Sequence, residues 1–296
     1  MKKEDIIQNP QEYDLSIETV GTGTLRSPMS GVRFVSDEQR VCLTTDMQTL
    51  DKLKAENLSI PSLEAAGPRE TIFHDPSWTR AAIVTCGGLC PGLNNVIKSL
   101  VQVLWFDYGV RNIFGIPYGY RGLNPDYGYS PVVLTPEVVD AIQEDGGTIL
   151  GSSRGNQDTK VMVDTLMRLN INMLFCIGGD GTFRGARALS KYGINVVGIP
   201  ATIDNDISAT DYTIGFDTAK NTVLEMVDRL RDTCESHARC NVVEVMGRNA
   251  GYIALECGIA VGATYIIVPA ANAKKYGSIG TTKFVKAIVN KAPIGS

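Results

Sequence analysis

The sequence predicts an α/β fold of Rossmann-like parallel sheets covered by helices on both faces. Two observations carry this reading. From Arg80 onward the chain repeats one rhythm: an apolar run, a glycine loop, then a stretch with apolar residues at helical spacing. The apolar runs are also near-continuous rather than alternating, the pattern of strands buried on both faces, and such strands belong to parallel sheets. A length of 296 residues leaves room for two domains.

Residues 1–79 stand outside that rhythm. They mix short alternating runs at 32–35 and 41–43 with a charged helical patch over 50–57, and end on Gly67-Pro68-Arg69-Glu70. This predicts an N-terminal extension that packs on the main body or on a partner subunit. The first strand of the main rhythm is 81–85. A loop with Gly87-Gly88 and Pro91-Gly92 follows, then a helix marked by Val96, Ile97, Leu100, Val101 and Leu104. Residues 112–117 form the next strand, closed by the loop 118–123. Residues 173–177 form another, followed by the loop 178–182 and a helix through Lys191. The run 194–200 is a short buried strand ending at a proline. A long amphipathic helix is expected over 217–236, with Ala219, Val223, Met226 and Leu230 on one face and Glu225 four residues before Arg229. After it come a strand at 241–246, a loop at 247–251, a helix at 252–261, a strand at 264–268 and a weakly patterned tail from Ala270. No internal repeat is detected.

Composition narrows the functional classes. A formal net charge of −4 argues against a general nucleic-acid binder, although a local cationic pocket for a phosphorylated metabolite stays open. Seven cysteines, an odd number, are scattered through the chain, and the pair Cys86 and Cys90 has a spacing that matches no common zinc site. Cys176 and Cys257 lie in apolar runs, where a thiol acts as a small hydrophobe. Reduced thiols in a cytoplasmic protein are expected. No signal peptide is visible, and no uncharged apolar run approaches the roughly 20 residues of a membrane helix.

The most informative segment is Thr202-Ile203-Asp204-Asn205-Asp206, directly after the 194–200 strand. Two carboxylates two residues apart at a strand end have no packing role, and open α/β sheets bind ligands at that edge. On an extended backbone the two acids would share one face, whereas a tight turn could aim them differently. Gly178-Gly179-Asp180-Gly181-Thr182 is a second strand-to-loop junction with an acid among glycines. It and Gly87-Gly88 each follow a strand and precede a helix, where bare backbone amides and the helix dipole suit phosphate. Neither is a Walker A loop, and neither matches G-x-G-x-x-G. Asp180 suits a divalent cation bridging nucleotide phosphates, and otherwise caps the following helix. Of Asp204 and Asp206, one is expected to accept a hydroxyl proton and one to arrange a metal, as in phosphoryl transfer; otherwise both are turn residues. Arg154, Arg239 and Arg248 sit at loops, where a guanidinium can grip phosphate. The two histidines, His74 and His237, are too few and too far apart for a metal site or a histidine-based triad.

In this order the motifs resemble the 6-phosphofructokinase family. The resemblance covers roughly residues 65–269. It is carried by Gly87-Gly88-Leu89-Cys90-Pro91-Gly92-Leu93-Asn94, Gly146-Gly147-Thr148-Ile149-Leu150-Gly151-Ser152-Ser153-Arg154, Gly178-Gly179-Asp180-Gly181-Thr182, the Pro200–Asp206 stretch, Thr213-Ile214-Gly215-Phe216-Asp217-Thr218-Ala219 and Glu244-Val245-Met246-Gly247-Arg248. The Gly-Gly-Leu-Cys-Pro-Gly form and the N-terminal extension are similar to the branch with plant-type, protist and spirochaete enzymes. The resemblance implies two similar α/β domains, here a nucleotide-binding unit at 80–215 and a partial sugar-phosphate-binding unit at 216–296, after an extension at 1–79.

It further implies transfer of a phosphoryl group from ATP to the 1-hydroxyl of fructose 6-phosphate, assisted by Mg²⁺. Asp204 would be the base, Asp180 would hold Mg²⁺ with help from Asp206, and Arg248 would stabilise the transition state. Arg154 would lie between nucleotide and sugar phosphates, and Thr202 would touch the moving group. Gly88, Gly179, Gly181, Thr182 and Gly185 would shape the nucleotide pocket, while Ile203, Met246 and Gly247 would line the sugar site. Arg239 would reach the sugar 6-phosphate, in many members from a neighbouring subunit, which implies a homo-oligomer (dimer or tetramer). Pyrophosphate-using members resemble one another in carrying an aspartate at the position of Gly181 and a lysine at that of Ala201, so ATP is favoured. The family usually continues past this point with a glutamate and a later His…Arg-Gly-Gly segment. Neither is found here, where Pro269-Ala270 replaces the usual Pro-Glu. Weighed against this are a nucleotide-binding regulatory subunit or fragment, a pyrophosphate-dependent phosphofructokinase and a NAD kinase-like protein, since Gly-Gly-Asp-Gly-Thr also occurs in NAD kinases.

Overall fold

The computed structural model describes residues 3–17 and 19–269. A short helix α1 (Lys3–Gln8) opens the extension, which then forms two small antiparallel ladders. One pairs β1 (Leu25–Arg26) with β4 (Thr71–Ile72), and the other pairs β2 (Arg40–Cys42) with β3 (Ser62–Glu64). Between β2 and β3 lies α2 (Met47–Ala55), the expected charged helix, started by Asp46, whose carboxylate accepts the Thr49 amide at 2.9 Å. The run 32–35 forms no strand. Its Val35 amide instead donates to the Pro68 carbonyl at 2.9 Å. Arg69 ties the extension together, with its Nε 2.6 Å from Asp37 and its Nη2 3.7 Å from Glu64. The extension meets the main body where His74 Nε2 lies 2.9 Å from Asn195 Nδ2.

The main body is a five-stranded sheet. Its strands are β5 (Arg80–Cys86), β6 (Asn112–Ile116), β7 (Val132–Val133), β8 (Met173–Gly178) and β9 (Val196–Pro200), in the order β7-β6-β5-β8-β9. All pairings are parallel except that of β7, an unanticipated antiparallel edge strand. In β5, alternate residues feed opposite layers: Ala81 and Ile83 join one core, Ala82 and Val84 the other. The first core is closed by α3 (Leu93–Gln102) through Leu93, Ile97 and Val101, and a single π-helical turn (Val103–Asp107) extends that helix. The second is closed by α4 (Thr159–Arg168) and α5 (Asp180–Ser190) through Met162, Val163, Leu166, Ala186 and Leu189. Helix α4 was not anticipated, although its Asp158 cap and apolar spacing are written in the chain.

Past the sheet, α6 (Phe216–Ser236) and α7 (Tyr252–Ala260) pack together over Phe216, Ile253 and Cys257. Two strands expected in this region do not form. Residues 241–246 and 264–268 run as irregular chain, with Val242 73% and Met246 72% exposed. A strand exists only as a member of a ladder that satisfies its N–H and C=O groups, and among the described residues neither run pairs with another strand. The expected tail from Ala270 lies outside the described residues. All seven cysteines are free, with Cys86, Cys90, Cys176 and Cys257 buried. Burial pushes the Cys90 and Cys176 thiols up to about 11 and that of Cys86 further, so none is a ready thiolate.

Candidate active site

The carboxyl ends of β5, β6, β8 and β9 all open on one edge of the sheet. The chain runs from β5 to β6 on one side and returns to β8 on the other, so the loops after β5 and β8 diverge at a topological switch point, where α/β sheets form ligand crevices. Two glycines at this crevice allow close approach. A Cβ on Gly178 would lie 2.4 Å from the Cys86 carbonyl oxygen, so only glycine lets the two strand ends sit side by side. A Cβ on Gly88 would lie 3.2 Å from Arg154 Nη2, which shows that the Arg154 guanidinium lies over the β5 loop.

Arg154 arrives on the segment 145–154, which a set of polar contacts fastens to β5 and α3. The Gly87 amide donates to the Ser153 carbonyl at 3.0 Å, the Ser152 hydroxyl to the Gly87 carbonyl at 2.7 Å, and the Thr85 hydroxyl to the Gly151 carbonyl at 2.7 Å. Buried Asn94 accepts the Ile149 amide at 2.8 Å and donates to the Asp145 carbonyl at 3.1 Å. The result is an open cleft of about 560 Å³ lined by Gly87–Leu89, Gly146–Thr148 and Gly151–Arg154. Of the predicted site residues, Gly88 and Arg154 line it. Asn94 and Ser152 were not singled out as site residues, because their role is visible only once the loop is folded.

The second glycine loop starts α5. The first bond internal to the helix runs from the Phe183 amide to the Gly179 carbonyl at 3.1 Å, so the amides of Asp180, Gly181 and Thr182 have no partner within the helix. A Cβ on Gly181 would meet nothing within 4 Å, and one on Gly179 would touch Thr202 at 3.6 Å. Two of the predicted pocket residues also have packing roles. Thr182 is buried, its hydroxyl donating to the Cys86 carbonyl at 3.0 Å and its carbonyl accepting from Tyr120 at 2.7 Å, so only its amide is left for a ligand. Gly185 makes room for the Tyr120 ring, 2.4 Å from a Cβ placed there, so helix packing also requires a glycine at this position. Asp180 does not cap α5. Gly179 holds the cap position, and the Asp180 carboxylate pairs with Arg184 at 2.6 Å on an exposed surface.

After β9 the segment Thr202–Asp206 turns. Asn205 takes a left-handed φ of +50°, so the two acids do not share one strand face. The Asp204 amide donates to Thr202 Oγ1 at 3.2 Å, and Ile203 packs against both the sheet core and the α6–α7 core. Asp206 lies 3.7 Å from Arg248 Nη1. Burial raises the Asp204 carboxyl above the usual aspartate range and the neighbouring Asp206 charge adds to the rise, while Arg248 and then Arg154 oppose it. One carboxylate is thus poised between a like charge and two guanidinium groups.

Arg248 stands in the turn before α7, at φ +52°, and Gly247 in the same turn accepts the Ala250 amide at 3.0 Å. Met246 is exposed beside it. Arg239 stands apart from these, exposed in the turn that ends α6, and its guanidinium makes no hydrogen bond or ion pair among the described residues. Among the described residues no group of three or more His, Cys, Asp or Glu side chains could hold a metal alone. The Asp180 carboxylate pairs with Arg184 and that of Asp206 lies beside Arg248, and a cation that arrives with phosphate oxygens, as Mg²⁺ does, needs only one or two protein ligands. No helix among the described residues is long and apolar enough to cross a membrane.

Comparison with known proteins adds the following. A family model described as phosphofructokinase matches residues 80–290. The chain is 43% identical over 282 residues to an ATP-dependent 6-phosphofructokinase of Entamoeba histolytica, covering 91% of this chain and 63% of that protein. It is 46% identical over 258 residues to a protein of the same name from Borreliella burgdorferi, covering 82% and 57%. A pyrophosphate–fructose 6-phosphate 1-phosphotransferase of Dictyoglomus thermophilum is 46% identical over 195 residues, covering 64% and 55%. Among solved structures, the phosphofructokinase of Saccharomyces cerevisiae aligns with a TM-score of 0.57 at 31% identity, over 66% of this chain and 29% of that one. The chain thus spans less than two thirds of the length of these curated relatives.

Proposed function

The chain belongs to the phosphofructokinase family, and from that premise we propose that it transfers the terminal phosphoryl group of ATP to the 1-hydroxyl of fructose 6-phosphate, giving fructose 1,6-bisphosphate. The observation that carries this is the setting of Asp204. It is a half-buried carboxylate at the sheet's carboxyl edge, its proton affinity raised by burial, with Arg248 and Arg154 beside it. A base of raised affinity can accept the sugar hydroxyl's proton, and the two guanidinium groups can balance charge that develops on the moving phosphoryl group.

The other roles follow from position. The free amides of Asp180, Gly181 and Thr182 would receive phosphate oxygens, with Gly88 letting the backbone come close. Thr202 would touch the moving group, and Ile203, Met246 and Gly247 would border the sugar. Asp180 and Asp206 would hold Mg²⁺, which when bound neutralises charge on the phosphate oxygens. Arg239 would meet a sugar 6-phosphate across an interface of a homo-oligomer, a role its unpaired guanidinium at the end of α6 leaves open. The units proposed are 1–79, 80–215 and 216–296, and the site of action is the cytoplasm.

ATP is the donor favoured by two positions. The open space at Gly181 leaves room and no charge where a carboxylate would repel a nucleotide's α-phosphate. Ala201 is 1% exposed within the sheet core, so no cation stands before the acid loop to hold pyrophosphate. The NAD kinase reading falls with the family assignment. A coupled assay of fructose 1,6-bisphosphate formation from ATP or from pyrophosphate tests the proposal, with Asp204→Ala as control. The expected outcome is turnover with ATP, lost in Asp204→Ala. Turnover with pyrophosphate alone overturns the donor, and full activity in Asp204→Ala overturns the base. ATP binding without turnover in the parent chain would favour the regulatory reading.

A further inference from the structure

We propose that Asn205 and Thr213 are positioning residues whose side chains staple the acid loop so that Asp204 and Asp206 point to different tasks. The proposal rests on the phosphoryl-transfer reading above. Its starting point is a geometric problem: acids two residues apart on an extended chain face the same way, and two like charges held side by side would oppose each other's ionisation. The structure turns the two carboxylates apart, though not out of each other's field, by putting Asn205, between them, in the left-handed region at φ +50°, a conformation asparagine tolerates better than most residues.

The side chain of Asn205 then holds the turn closed. Its Oδ1 accepts the Thr213 amide at 2.9 Å, and its Nδ2 donates to the Asp211 carbonyl at 3.1 Å. Thr213 returns the contact. Its hydroxyl donates to the Thr202 carbonyl at 2.5 Å, and Asn205 Oδ1 lies 3.3 Å away. The Thr202 hydroxyl in turn accepts the Asp204 amide at 3.2 Å. Below the staple, the Ile214 amide donates to the Pro200 carbonyl at 3.0 Å, and Ala201 bridges Ile214 in parallel. The excursion 207–212 is therefore clamped at its base, and both acids stand on the clamped limb.

These groups are spent inward. Thr213 is 4% exposed, and the amide of Asn205 is committed at both its ends. With these contacts made, their effect is expected to pass through Asp204 and Asp206. The staple also leads straight into α6, whose N-cap is Gly215, and Phe216 donates its amide to the Thr213 carbonyl at 3.2 Å. The orientation of the acids is thereby tied to the element that supports α7 and the Arg248 turn.

The test uses the full chain and the variants Thr213→Val, Thr213→Ser and Asn205→Gly. Glycine keeps the left-handed turn available while deleting the staple. Hydrogen exchange comes first and needs no turnover: the Asp204 and Thr213 amides should exchange faster in Thr213→Val and Asn205→Gly, with β5 and β8 amides unchanged. In the coupled assay Thr213→Val and Asn205→Gly should lose kcat by roughly 10- to 100-fold, the scale of a misplaced reacting group, with KM for ATP within about twofold. Thr213→Ser should recover most of the loss. A Thr213→Val protein with parental kcat and parental exchange at the Asp204 amide overturns the proposal, as does a serine variant as impaired as valine. If the parent chain shows no turnover, the phosphoryl-transfer reading fails, and with it the positioning role; unchanged exchange at Asp204 then removes the staple as well.

Discussion

The five-stranded sheet with its helices and the helical region that follows it contain the same kind of sequence and arrive at different structures. In the first, apolar runs become β5, β6, β8 and β9, with Ile83 and Leu174 fully buried. In the second, runs of the same character at 241–246 and 264–268 stay irregular, and Val242 and Met246 face solvent. The difference lies in neighbours rather than composition. A strand's apolar pattern states what it would bury, but the ladder that makes it a strand must come from elsewhere. The candidate site straddles the boundary: Arg154 and the acids stand on the sheet unit, Arg248 on the other.

The largest effect should come from the residue that bridges the two regions. Arg248→Met is expected to lower kcat by on the order of 10²–10³, typical of losing a group that stabilises transition-state charge, while leaving the denaturation midpoint unchanged because the side chain is largely exposed. A variant with parental kcat would mean that the helical region is no part of the site. Next, Ile83→Ala should destabilise the protein by about 2–5 kcal/mol, whereas Val242→Ala should stay within about 0.5 kcal/mol. Urea unfolding distinguishes them, and equal losses would show that 241–246 is buried after all. Within the sheet unit, Gly185→Ala should cost about 1–3 kcal/mol, because the new methyl meets the buried Tyr120 ring. Gly181→Ala, facing open space, should leave thermal stability as it was; a comparable fall in both would undo the distinction drawn between these two glycines.

The smallest expected effect is electrostatic. Asp204 is raised in the folded protein, so its ionised form opposes folding as pH climbs through that raised value. Below the ordinary carboxylate range the group is protonated both folded and unfolded, and the penalty is absent. Asp204→Asn should therefore show a small gain in Tm at neutral pH that vanishes in acid. A gain of the same size at acidic pH would have another origin.

Much of this was legible in the chain. The strands of the sheet, the two glycine loops and helices α3, α5 and α6 follow from local pattern, because each states its own burial. Asp204 was conspicuous for the same reason, as a charge with no packing role. What escaped notice depends on contacts between distant residues. The carboxylate of Asp180 reads as a ligand or a cap; it does not cap, and its pairing with Arg184, a contact that a cation would displace, is not written in the motif. Thr182 and Gly185 belong to a motif that suggests a nucleotide, and their contacts with Tyr120, over sixty residues away, are not written in it. Likewise β7 is too short for its pattern to register and exists only because β6 offers an edge.

Ile203 belongs to two cores at once. Loosening of either core would disturb the setting of its neighbour Asp204. Among the described residues the α6–α7 core has three buried side chains, with partly buried ones around them, whereas the sheet is packed on both faces. Heat should therefore silence the protein in two stages. Turnover is lost first, when the helical pair loosens, at temperatures where circular dichroism still reports an intact sheet.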